Sequence, residues 1–190
     1  MMLELQAMGC HNINLVSPTH VVGQIALAVG LAAEEGLSLP IVYNTGGYDK
    51  VETLSLLDGI IDIYMPDMKY SQPEIGECYS GIPNYPEVNQ SAVLEMHRQV
   101  GDLVVDSSGI AQTGLLIRHL VLPGDLAGSS TILRFISERI SKNTYLNIMD
   151  QYHPAYQAQQ YPALDRRVSS REFQTVKKEA NQWGLSRLDL

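Results

Sequence analysis

Apolar residues along this chain fall into short, nearly continuous runs, each closed by polar groups and followed by an amphipathic stretch. The first run is NINLV, residues 12–16, closing on Ser17, Pro18, Thr19 and His20 ahead of a helix expected from about Val21 to Glu35. The second is LPIVY, residues 39–43, which closes on NTGGYD and leads into VETLSLLDG. The third, IIDIYM at 60–65, closes on Pro66 to Lys69; a looser region then runs to Tyr85, and a helix is expected through about Val100. The fourth, GLLIRHLVL at 114–122, closes on Pro123 and Gly124 with STILRFISERI after it. The fifth, TYLNIM at 144–149, closes on DQYHP, and a last helix is expected over SSREFQTVKKEANQW.

Strands of five or six residues alternating with helices predict βαβ units and a parallel sheet, so the class is α/β. Strands rich in Ile, Val and Leu with little alternation imply a sheet covered on both faces. An open doubly wound sheet and a barrel or partial barrel both fit this pattern. The start, MMLELQAMGC, reads as a helix ended by Gly9, and LVVDSSGIAQTG at 103–114 reads as a small hairpin or bulged loop.

The 190 residues, 45% of them hydrophobic, are expected to form one compact domain over 1–190. A net charge of -8 with no block of Lys or Arg argues against nucleic acid or an anionic membrane as partner. A small molecule or another protein is the expected partner. No apolar run reaches the roughly 20 residues of a membrane span. The two cysteines, Cys10 and Cys78, form neither a C-x-x-C pair nor a disulfide framework, which points to the cytoplasm.

In a parallel α/β sheet the C-terminal strand ends share one edge, where ligands bind. That edge is expected to gather Ser17, Thr19 and His20; Asn44, Thr45 and two glycines; Asp67 and Lys69; Arg118 and His119; and Asp150 to His153. Each alone has a structural explanation. Asp67-x-Lys69 reads as a loop ion pair contributing roughly 0–1 kcal/mol, Thr45-Gly-Gly as a tight turn needing positive φ, and His119 as a buried histidine with a satisfied ring. Five such endings together point to a ligand site.

NINLVSPTH, LPIVYNTGGYD, IDIYMPDMKY, LLIRHLVLPG and YLNIMDQYHP, in this order, resemble the later strands of radical S-adenosylmethionine (radical SAM) proteins of the pyruvate formate-lyase activating enzyme type, in the activating-enzyme homologue branch. The resemblance implies a partial (β/α) TIM-like barrel lacking its first strand, with S-adenosylmethionine and a 4Fe-4S cluster as cofactors. In that family the cluster cleaves S-adenosylmethionine, and the resulting radical abstracts a hydrogen, in some members from a glycine of a protein substrate. Matched position by position, Ser17 and Thr19 stand at the strand that meets the methionine amino group. Asn44 and Thr45 match a strand end written Asp-Thr-Asn-Gly in the family, and Asp67 and Lys69 match the next. Arg118 and His153 fall on basic positions of later strands.

This sequence has no C-x3-C-x2-C, so no metal ligands are assigned within it. The expectation is a chain that lacks the N-terminal cluster segment, by truncation or by a late start, and keeps S-adenosylmethionine-binding groups. The alternative is a cluster-free α/β module that binds a ligand or a partner without catalysis; an acid-base enzyme using Asp67 and Lys69 ranks last. Cys10 is read as a small buried residue before a strand and Cys78 as a loop residue.

Overall fold

The computed structural model describes residues 1–189. It is an α/β fold whose strands lie in the order β1-β2-β3-β5-β6-β7 in a seven-stranded sheet, with β4 paired to β5. The elements are α1 (Met2–Ala7), β1 (Ile13–Val16), α2 (Val22–Glu34), β2 (Ile41–Thr45), α3 (Val51–Ser55), β3 (Ile63–Pro66), α4 (Pro73–Ser80), α5 (Tyr85–Val100), β4 (Val104–Val105), β5 (Ala111–Leu120), α6 (Ser129–Phe135), β6 (Tyr145–Met149), α7 (Ser170–Gln182) and β7 (Leu188–Asp189). The α/β class and all five expected strands are present. Two elements were not expected: α4 in the region read as loose, and the two-residue β7.

Contacts divide the chain into two compact units, Met1–Pro66 with Gln90–Leu116, and Asp67–Asn89 with Ile117–Leu190. In the first, β1, β2 and β3 pair in parallel with Tyr43 opposite Tyr64, and β3 pairs in parallel with the start of β5. Leu54, Leu57, Val93 and Met96 are fully buried beside them, and each such side chain stabilises the fold by roughly 1.5–3 kcal/mol. The expected hairpin forms: β4 runs antiparallel to β5. Gly114 has φ +114°, and a Cβ there would collide with the backbone of Asp102 and Leu103. Only glycine tolerates that approach.

In the second unit the far half of β5 leads into β6, with Val121 N donating to Met149 O, and β6 pairs in parallel with β7. Leu133, Ile136, Leu146 and Ile148 are buried there. The helix expected over STILRFISERI divides into α6 and a π-helical stretch, Ile136–Ile140. At α7, Ser169 and Glu172 form a capping box, so the S-x-x-E spacing sets the helix start where the sequence places it. Glu172 also accepts from Gly124 N and from Arg166, and these bonds hold its carboxyl well below the usual range.

Candidate functional site

In the first unit the end of β2 is organised around a carboxylate the sequence analysis does not single out. Asp49, just before α3, is 1% exposed. Its Oδ1 accepts from Thr19 Oγ1 at 2.7 Å and Tyr43 Oη at 3.0 Å, and its Oδ2 accepts from Thr45 Oγ1 at 2.6 Å. A buried charge is tolerated only when its lone pairs are satisfied, and three hydroxyls do this for Asp49. Burial, then the Asp49 charge, pushes the Tyr43 phenol up from its ordinary value.

Thr45 Oγ1 also accepts from Gly47 N, so this hydroxyl is committed to shaping the turn after β2. Ser17 and Asn44 differ. Ser17 takes a left-handed backbone at φ 53°, and its N–H donates to Asn44 O at 2.9 Å. Among the described residues neither the Ser17 hydroxyl nor the Asn44 amide has a hydrogen-bond partner. Left-handed backbone is uncommon for a residue other than glycine. Of the four residues expected here, Thr19 and Thr45 have hydroxyls bonded within the protein, and Ser17 and Asn44 have side chains without such a bond among the described residues.

In the second unit Asp67 meets two cations. Arg118 Nε and Nη2 lie 2.8 and 2.7 Å from Asp67 Oδ1, and Lys69 Nζ lies 3.5 Å from Oδ2. The expected ion pair of Asp67 with Lys69 is present, but Arg118 is the closer partner. The Asp67 main chain is held by α5, whose Tyr85 hydroxyl and Asn89 amide both donate to Asp67 O. Met68 N donates to Arg118 O, and the buried His119 contacts Met68 O through Nδ1 at 2.8 Å and Ser129 Oγ through Nε2 at 2.9 Å. Because a carbonyl oxygen only accepts, Nδ1 carries the proton of the neutral ring and Nε2 accepts from Ser129. Burial lowers its pKa. His119 is therefore the satisfied buried histidine expected of it.

His153 is exposed and lines a cavity whose walls do not include Asp67, Lys69 or Arg118. Cys10 is half-buried, and Cys78 is exposed within α4. The expected loop position of Cys78 is thus corrected to a helix: Pro73 opens it and Gly81, in left-handed space, closes it. Among the described residues no group of three or more His, Cys, Asp or Glu side chains is placed to hold a metal ion, so these residues do not fit a 4Fe-4S cluster.

No family model matches the chain. It is 32% identical over 149 residues to an uncharacterized protein of Methanocaldococcus jannaschii, covering 78% of this chain and 40% of that protein. The chain thus spans 40% of the length of the curated relative it matches. Among solved structures, a domain of the pyruvate-formate lyase-activating enzyme of Bacteroides vulgatus ATCC 8482 matches with TM-score 0.64 and 10% identity, over 95% of this chain and 98% of that one. HydG, a maturase of the [FeFe]-hydrogenase, matches with TM-score 0.62 and 12% identity, over 98% of this chain and 41% of HydG. The chain shares their fold. A fold in common with an activating-enzyme domain agrees with the partial barrel that the strand-end motifs imply.

Proposed function

We propose that the chain is part of a radical S-adenosylmethionine protein of the activating-enzyme type and that its strand-end groups bind S-adenosylmethionine. The observation that carries this reading is the pair of cations on one carboxylate. Asp67 neutralises one of Lys69 and Arg118, which leaves a net positive charge on partly exposed side chains. Such a charge suits the α-carboxylate of an amino acid. In the first unit, taken by itself, the open amide of Asn44 and hydroxyl of Ser17 are groups able to hydrogen-bond a polar ligand. Thr19 and Thr45 act behind them, by fixing the turn through Asp49.

When bound, S-adenosylmethionine supplies a sulfonium whose reductive cleavage yields a carbon radical. No step of that cleavage is assigned to the residues of this chain, because they do not fit the cluster that drives it. What they do is bind and orient. A protein substrate and a hydrogen-abstraction reaction belong to the proposal for the whole protein.

Calorimetric titration of the chain with S-adenosylmethionine tests the reading. Saturable binding is expected, weakened about tenfold, or roughly 1.4 kcal/mol, in Lys69→Ala. Absence of binding up to about 1 mM, equivalent to roughly 4 kcal/mol, overturns it, and so does binding that Lys69→Ala leaves unchanged.

A further inference from the structure

The loop after β6 and the C-terminal end of α4 line an open pocket of about 250 Å3, with Tyr79, Tyr152, His153, Tyr156 and Tyr161 at its sides. Four tyrosines around one pocket are a large share of the 10 in the chain; three lie within residues 152–161, and Tyr79 joins them from a distant segment. Tyr79 and Tyr161 meet edge to face, with centroids 5.2 Å apart. Tyr152 is anchored by its hydroxyl, which donates to Leu164 O at 2.9 Å.

Three features distinguish this wall from ordinary aromatic packing. Tyr156 is 94% exposed and holds a left-handed backbone at φ 52°, an arrangement that costs conformational energy without gaining burial. Among the described residues the hydroxyls of Tyr79 and Tyr161 have no hydrogen-bond partner. Among the described residues the hydrogen bond of His153 is a long one, 3.5 Å between Nδ1 and Gln151 O, and Nε2 has no partner.

Aromatic faces carry negative electrostatic potential and attract organic cations. No Lys or Arg lines the cavity. Asp165 is close enough to act electrostatically on Tyr152, and the chain as a whole carries -8. Arg166, its sequence neighbour, is engaged with Glu172 at 2.6 Å and does not supply the missing cation. A planar guanidinium stacks on tyrosine and presents several N–H donors to the imidazole nitrogen and phenol oxygens, whereas an ammonium matches the flat walls less well.

We propose that this cavity binds the guanidinium of an arginine side chain presented by a polypeptide partner. The site accepts one side chain by size. It is independent of the S-adenosylmethionine reading, since its lining shares no residue with the Asp67, Lys69 and Arg118 group.

The test is NMR titration of the full chain with three acetylated, amidated tripeptides that differ only in a central arginine, lysine or citrulline. Ring currents of the tyrosines are expected to move the arginine δ-methylene signals upfield, with affinity in the order arginine, lysine, citrulline and a step of about fivefold from arginine to citrulline. Tyr156→Leu, at an exposed position with no packing to lose, is expected to weaken arginine binding about fivefold. Tyr161→Phe, which keeps the π face, is expected to stay within about twofold. Equal affinity for citrulline and arginine overturns the proposal, as do tighter binding of lysine, an unchanged affinity in Tyr156→Leu, or no upfield shift at all. S-adenosylmethionine binding by the same samples is expected to be unaffected by Tyr156→Leu.

Discussion

Arg118 and Asp67, 51 residues apart, are bridge partners across adjoining strand ends, and the guanidinium places two nitrogens, Nε and Nη2, within 2.8 Å of one carboxylate oxygen. The contact joins the polar end of the third apolar run to Arg118, which lies inside the fourth. It also leaves Oδ2 for the looser approach of Lys69 at 3.5 Å.

Removing Asp67 therefore has two effects of opposite sign. Asp67→Ala leaves Arg118 and Lys69 without their shared carboxylate and is expected to destabilise the fold by about 1–3 kcal/mol, read as a shift of the urea midpoint. The same change raises the positive charge at the site, so affinity for a carboxylate ligand is expected to rise or hold. An affinity that falls together with stability would show that Asp67 itself touches the ligand.

Asp49 is expected to be the more sensitive carboxylate, since Tyr43 and Thr45 are buried with it. Asp49→Ala strands their hydroxyls and is expected to cost about 2–5 kcal/mol. Asp49→Asn keeps the shape and one acceptor and is expected to cost less than half as much. Denaturant unfolding of the two variants side by side checks the order, and equal losses would show that volume rather than hydrogen bonding sets the effect.

Gly114→Ala is expected to destabilise by about 3 kcal/mol or more, because an added Cβ meets the backbone of Asp102 and Leu103, which has no side-chain freedom to yield. Gly9→Ala is the control: it has positive φ as well, but its Cβ meets nothing within 4 Å. Its loss is expected to stay near 1 kcal/mol. Thermal midpoints of the two proteins decide this.

His119 gives the fold a pH dependence whose sign follows from its burial. The folded state holds the ring neutral with its pKa below the ordinary 6.5, while the unfolded chain takes up a proton as pH drops through 6.5. More protons are then bound unfolded than folded, so this contribution is complete above that value and is lost as pH falls towards the folded pKa. The hydrogen bond to Met68 O and, less, the Asp125 charge oppose the shift without reversing it. Unfolding measured from about pH 8 to about pH 5 is expected to show falling stability, and the slope is expected to flatten in His119→Gln.

Apolar periodicity is a local property, and it located β1, β2, β3, β5 and β6 to within a few residues. The same logic placed α7, whose start is encoded by Ser169 and Glu172 only three positions apart. It missed α4, where Pro73, Glu74, Gly76 and Glu77 give too weak an apolar face to read as a helix. It also missed β7, whose two residues become a strand only because Leu146 and Asn147 lie beside them.

The candidate site divides along the same line. That Ser17, Thr19, Asn44, Thr45, Asp67 and Lys69 sit at strand ends, with Arg118 two residues before the end of β5, follows from the order of apolar and polar residues along the chain. Which of these side chains are tied up depends on contacts between residues distant in the sequence. Thr19 is bound to a carboxylate 30 residues away and Arg118 to one 51 residues away, while His153 lines a tyrosine cavity. Strand formation depends on the chemistry of neighbours in the chain, whereas hydrogen-bond partners depend on parallel register, which brings together residues that no local pattern connects.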